Sequence, residues 1–159
     1  MSDYNETPLP PARNIPAPAG WRPADQFDPF EAALGPYFER WQEGRRAFAF
    51  IIDDRHTNAQ GVAHGGALLT FADAALGYAL WDATDRAPCV TIGQQTQFIA
   101  AAMEGDLVTC LPEVVRRTRE IVFMRGDLGG GQGGLHGNRR LADLAEGLKC
   151  YQGLNWLAG

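Results

Sequence analysis

The stretch N-A-Q-G-V-A-H-G-G-A-L-L-T-F-A-D, from Asn58 to Asp73, decides how the chain is read. Polar residues and two glycines lead into an apolar segment, with Leu68, Leu69, Phe71, Leu76 and Leu80 among many small residues up to Trp81. The spacing predicts a helix over 65–81 with almost no polar face, and a helix apolar all round is one surrounded by protein. Asp73 is then an interior carboxylate, which costs several kcal/mol if charged and unpaired and so calls for a function or a compensating donor. At the helix start the first backbone N–H groups lack intrahelical partners, and with the helix dipole they suit an anion or a developing oxyanion. Glycine at 65 would let a ligand carbonyl approach the amide closely. Asn58, six residues before His64, could orient a ligand. The plainer alternative is that Asn58 and His64 only cap the loop and helix, and that Asp73 is bonded to backbone or a nearby Thr.

Outward from that helix the pattern changes. Residues 1 to 27 carry Pro8, Pro10, Pro11, Pro16, Pro18 and Pro23 and little apolar content, which predicts an extended or disordered arm before a domain over 28–159. Phe27–Leu34 reads as a short helix with Asp28 as N-cap and Pro29 in its first turn, stopped by Gly35-Pro36. Tyr37–Trp41 and Arg45–Ile52 flank the turn-like Glu43-Gly44 as a hairpin, and 53–61 is a polar loop. Strands are predicted over Val90–Phe98, Leu107–Arg117, Arg119–Leu128 and Arg140–Tyr151. The glycine-rich stretch 126–137 contains Gly129, Gly131 and Gly134 at G-x-G-x-x-G spacing, yet it opens no helix and reads as a flexible hairpin loop. The sum is an α+β domain, an antiparallel sheet of five to six strands wrapped around one long central helix.

The chain has 159 residues, is 45% hydrophobic and carries a net charge of -5, which disfavours nucleic acid as a partner. No secretory signal pattern is visible, and His64 and Asp73 argue against a membrane span for the long apolar segment. Cys89, Cys110 and Cys150 have no metal-ligand spacing and read as reduced thiols of a cytoplasmic protein. Cys89 has no activating base nearby in sequence. Asp53, Asp54 and His56 could imitate a metal cluster, but no metal or separate cofactor is expected. Phe71, Tyr78, Trp81 and Phe98 could line an aromatic pocket, although their spacing suits a core equally well.

Eight residues from Gly65 to Asp73 span about 12 Å of helix at 1.5 Å per residue. One chain cannot bring both to a single carbonyl. If both act on one substrate, a two-fold partner must supply one of them.

The pattern N-x-x-G-x-x-H-G-G followed by an Asp resembles the hot-dog-fold acyl-CoA thioesterases of the phenylacetate-degradation type, from about residue 30 to residue 125. Asn58, Gly61, His64, Gly65, Gly66 and Asp73 stand at the family's spacing, and Thr91 falls where the family carries a Ser or Thr. The long arm and the C-terminal region depart from the family core. The resemblance implies hydrolysis of an acyl- or aryl-CoA thioester, with CoA a part of the substrate. Gly65 N–H would hold the oxyanion, and Asp73 of the partner chain would act as general base or nucleophile. Thr91 would orient Asp73 or the water, while Asn58, His64 and Gly66 would set the thioester and loop. Arg116, Arg117, Arg119 and Arg125 are candidates for the CoA phosphates. The resemblance also implies a homodimer, with further pairing into a homotetramer left open. The alternatives are a non-catalytic acyl-CoA or lipid-binding module and a hydratase or dehydratase of the same fold.

Overall fold

A computed structural model describes residues 13–25, 29–131 and 139–150. In chain order the elements are β1 (Arg22–Pro23), α1 (Pro29–Leu34), β2 (Tyr37–Gln42), β3 (Arg45–Ile51), a 3-10 turn (Asp54–His56), α2 (Gly65–Ala83), β4 (Cys89–Phe98), β5 (Leu107–Cys110), β6 (Glu113–Arg117), β7 (Ile121–Gly131) and β8 (Arg139–Cys150). The paired strands are antiparallel and form one eight-stranded sheet in the order β1-β2-β3-β5-β7-β8-β4, with β6 also on β7. This is the expected sheet around one long helix. The strand number rises because β1 adds an edge and the expected strand 107–117 is broken at Leu111-Pro112. Proline has no N–H for the ladder, so β5 and β6 pair with successive stretches of β7.

The α2 helix lies against one face of the sheet. Leu68, Phe71, Ala72, Ala75, Leu76 and Leu80 form a buried cluster with Tyr37, Phe48, Phe50, Val108, Val122, Met124 and Leu128. The Phe50 and Phe71 rings lie 4.6 Å apart, and Tyr37 meets Phe71 edge-on at 5.5 Å. Gly126 faces this helix because a Cβ there would stand 2.9 Å from Cys110 Sγ and 3.7 Å from Leu76.

Three expectations need correction. First, α2 is not enclosed all round. Gly66, Leu69, Thr70, Asp73 and Gly77 trace a less buried stripe at helical spacing, and Asp73 itself is exposed within the single chain. Second, Gly126–Gly131 is not loop. It continues β7, pairing with β5 on one side and with β8 on the other; Gly134 and the rest of that motif lie outside the described residues. Third, residues 13–25 are extended but docked. Trp21 is buried in a second cluster with Phe38, Ala47, Ala49 and Leu107, against which the half-buried Ile15 packs, and the Arg40 guanidinium sits 4.3 Å over the Trp21 ring. With this segment on one face and α2 on the other, Ala47–Phe50 is buried on both sides. That explains a run of apolar residues in place of alternation. The expected N-cap Asp28, residues 1–12 and Tyr151 lie outside the described residues. No described helix is long and apolar enough to cross a membrane.

Candidate active site

The start of α2 is held by a chain of local bonds. Asp53 caps the 3-10 turn: its N–H donates to His56 Nδ1 at 2.9 Å, and its carboxylate accepts from the Arg55 N–H at 3.0 Å. His56, 2% exposed, donates from Nε2 to Leu34 O at 2.7 Å, so its partners select the tautomer with the proton on Nε2. Arg55 donates to Ala33 O at 2.7 Å and Gly35 O at 2.6 Å. Together the two side chains satisfy three successive carbonyls at the end of α1, groups a helix leaves without partners. The His56 carbonyl in turn accepts the His64 N–H at 2.6 Å. Burial pushes the Asp53 carboxyl up, but hydrogen bonds from the Arg55 side chain and backbone N–H, together with the Arg55 charge, outweigh it. The result is a carboxyl below the usual range. Arg13 reaches Asp54 at 2.5 Å, tying the N-terminal segment to the same turn. Asp53, Asp54 and His56 are thus committed to the scaffold, and among the described residues no three His, Cys, Asp or Glu side chains are grouped to hold a metal.

Asn58 and His64 take the capping geometry that was the plainer alternative. Asn58 Oδ1 accepts from Gln60 N–H at 2.9 Å and Val62 N–H at 3.4 Å, and its own N–H donates to Val62 O at 2.8 Å. This closes the loop that delivers the chain to His64. His64 is the N-cap of α2, its Nδ1 accepting the Gly66 N–H at 2.9 Å. The Gly66 donor is therefore engaged, whereas no acceptor for the Gly65 N–H is found among the described residues. An ideal Cβ on Gly65 would lie 3.1 Å from Phe98 Cζ, so the ring stands directly over this glycine.

Asp73 projects from the open stripe, and Thr91 Oγ1 on β4 donates to its carboxylate at 2.7 Å. Both are exposed. The four arginines do not converge. Arg117 donates to Ala83 O at the far end of α2, a 19-residue helix about 28 Å long. Arg125 pairs with Glu113 at 3.0 Å and Arg119 with Glu120 at 3.0 Å. Arg116 is exposed on β6, with no side-chain partner among the described residues. Of the aromatic candidates, Phe71 and Tyr78 are core and Trp81 packs against it, whereas Phe98 is 52% exposed. Cys110 is buried and Cys89 half-buried.

The sequence reading missed the cleft of about 340 Å³ beside Gly65, lined by Ala63, Leu68, Phe98 and residues 99–102. Its one signal in the sequence was Ile99-Ala-Ala-Ala102, an apolar run placed after a strand, where a polar turn is usual.

A single antiparallel sheet wrapped on one long helix, with a glycine amide at the helix start, defines the hot-dog thioesterase class. Comparison agrees. Residues 60–135 match the Thioesterase superfamily. A Pseudomonas aeruginosa protein whose name places it with the esterases is 33% identical over 133 residues, covering 82% of this chain and 94% of its own. The E. coli PaaI protein of the phenylacetic acid degradation operon aligns with a TM-score of 0.66 at 18% identity, over 78% of this chain and 85% of that one. A Streptococcus pneumoniae thioesterase protein crystallised with coenzyme A aligns at 0.64 and 20% identity, over 72% and 85%. The chain belongs to the Thioesterase superfamily and has the hot-dog fold of the PaaI type.

Proposed function

We propose that the protein hydrolyses acyl- or aryl-CoA thioesters to the free acid and CoA. The observation that carries this reading is the pairing on one helix of an amide with no acceptor among the described residues, Gly65 N–H, and a Thr91-bonded carboxylate two turns further on, Asp73. The thioester carbonyl accepts from the Gly65 N–H, reinforced by the positive end of the helix dipole. One such donor to an oxyanion is typically worth 10²–10³ in rate. Asp73 takes a proton from water as it adds to the carbonyl, or adds directly to give an anhydride that water then opens. Either route expels the CoA thiolate. Thr91 holds one carboxylate oxygen and leaves the other toward the substrate. Asn58 and His64 act through the loop and cap that aim Gly65.

Because about 12 Å of helix separates the two groups, the site is assembled from two chains. The open stripe of α2 and the neighbouring β4 are the surfaces suited to that contact. β4 is a ten-residue edge strand, exposed along most of its length, with Val90 46% and Ile92 54% exposed. Long exposed edges of this kind are templates for pairing with another chain. Arg116, which has no side-chain partner among the described residues, is the first to test for the CoA phosphates, ahead of Arg117, Arg119 and Arg125.

The test is release of free CoA from a panel of acyl- and aryl-CoA esters, followed with a thiol reagent, for the wild type and Asp73→Ala. Binding without release by the wild type would sink hydrolysis in favour of a binding module. For shared sites, inactive Asp73→Ala and Asn58→Ala chains are mixed. Recovered activity is expected, and none after demonstrated subunit exchange would refute the two-chain arrangement.

A further inference from the structure

We infer that the cleft beside Gly65 receives the acyl arm of the thioester and restricts it to uncharged, apolar groups of small to medium size, with Phe98 and Ala101 setting the limit. This rests on the carbonyl being anchored at the Gly65 amide. A carbonyl at that point has two arms, and the lining of the cleft discriminates between them. Every lining side chain is apolar: Ala63, Leu68, Phe98, Ile99 and the alanines 100–102, with Gly65 itself at the mouth. Part of the backbone of the far wall is also engaged. Ala102 O accepts the Ala63 N–H at 2.8 Å, and Val62 bridges to Met103.

A pantetheine arm, with two amides and a phosphorylated end, would find no hydrogen-bonding side chain here. The same holds for an acyl group ending in a carboxylate, since a buried unpaired charge is strongly disfavoured. An alkyl or aryl chain meets apolar side chains throughout. Phe98, Ile99 and Met103, respectively 52%, 54% and 43% exposed, form an apolar rim in this region. The cleft lies at the small end of ligand sites, about 340 Å³. With about 30 Å³ per water-sized group, it holds on the order of ten non-hydrogen atoms. That suits acyl groups up to about eight to ten carbons. The Phe98 ring, seated on Gly65, forms one wall, and the alanine run forms the other.

The test measures kcat/KM for acetyl-, octanoyl-, dodecanoyl- and succinyl-CoA with the wild type, Ala101→Leu and Phe98→Ala. Binding of the non-hydrolysable S-octyl-CoA thioether is measured beside that of CoA. The wild type is expected to favour octanoyl- over succinyl-CoA by at least a hundredfold. Ala101→Leu fills the cleft and lowers the octanoyl-to-acetyl ratio at least tenfold, the scale on which hydrophobic pockets discriminate methylenes. Phe98→Ala, the second variant, raises the dodecanoyl-to-octanoyl ratio by a similar factor. An octanoyl-to-acetyl ratio unchanged in folded Ala101→Leu, or succinyl-CoA turned over as well as octanoyl-CoA, overturns the inference. Should no ester be hydrolysed, the thioether decides it. Octyl-dependent binding that Ala101→Leu weakens upholds the cleft while hydrolysis fails, and equal binding of thioether and CoA overturns it.

Discussion

Replacing Gly65 with Ala separates what the fold needs at this position from what the site needs. The added Cβ would lie 3.1, 3.5 and 3.7 Å from three atoms of the Phe98 ring, its three nearest heavy atoms outside its own helix and chain neighbours. The ring is half exposed, so it can swing outward by the few tenths of an ångström required. Alanine is favoured over glycine by about 0.8–1.0 kcal/mol inside a helix and by less in the first turn. The two effects oppose each other, and the net change in stability stays within about 1 kcal/mol. For a chain of this size that is a shift in Tm of no more than about 4 °C. The methyl group, however, occupies the side of the amide that faces the cleft and holds a carbonyl away from the N–H. Activity should fall about 10²–10³-fold, the cost of losing one oxyanion donor. A thermal melt by circular dichroism and a CoA-release assay on one sample read both quantities. Activity within threefold of wild type in a folded variant would remove the Gly65 amide from the mechanism. A Tm drop beyond about 8 °C would show instead that the Phe98 ring cannot yield.

Gly77 lies one turn beyond Asp73, and a Cβ there meets nothing within 4 Å among the described residues outside its own helix backbone and chain neighbours. Gly77→Leu should leave the monomer folded while weakening association in sedimentation velocity; an unaltered dimer would place the interface elsewhere. His56→Ala orphans the Leu34 carbonyl and the Asp53 N–H, bonded at 2.7 and 2.9 Å. At about 1–3 kcal/mol per buried group it should cost about 2–6 kcal/mol, read as a lower urea midpoint at constant slope. A loss below about 1 kcal/mol would contradict the scaffold role. The Asp53 carboxyl titrates lower in the folded chain than in the unfolded one, where it is near 3.9. Its contribution is therefore present above about pH 4 and lost as the pH falls through the folded value. Urea midpoints should fall below about pH 4, and Asp53→Asn should flatten that acid limb; equal limbs would refute the assignment.

The sequence made the fold legible where periodicity is strong. The apolar helical run, the hairpin around Glu43-Gly44 and the strand ending at Phe98 stand where they were expected, within a residue or two. Its failures have physical causes. Composition shows Asp73 among apolar neighbours, but only tertiary geometry shows that its stripe of the helix faces outward. Glycines suggest a loop unless close packing selects them, as Leu76 and Cys110 do at Gly126. The cleft was hidden because its wall comes from residues 63–68 and 98–102, brought together only by the chain's crossing from helix to strand.

The N-terminal segment, finally, alters what counts as the domain. Ala47 and Ala49 are small where Trp21 and Ile15 lie against the back of the sheet, and Arg13 bonds the turn whose His56 carbonyl receives the His64 N–H. A chain shortened to begin at Asp28 would thus lose the roof over Phe38, Ala47 and Leu107 and, through Asp54, one brace of the helix start. Trimming the prolines for convenience of expression would touch the site from the opposite side of the molecule.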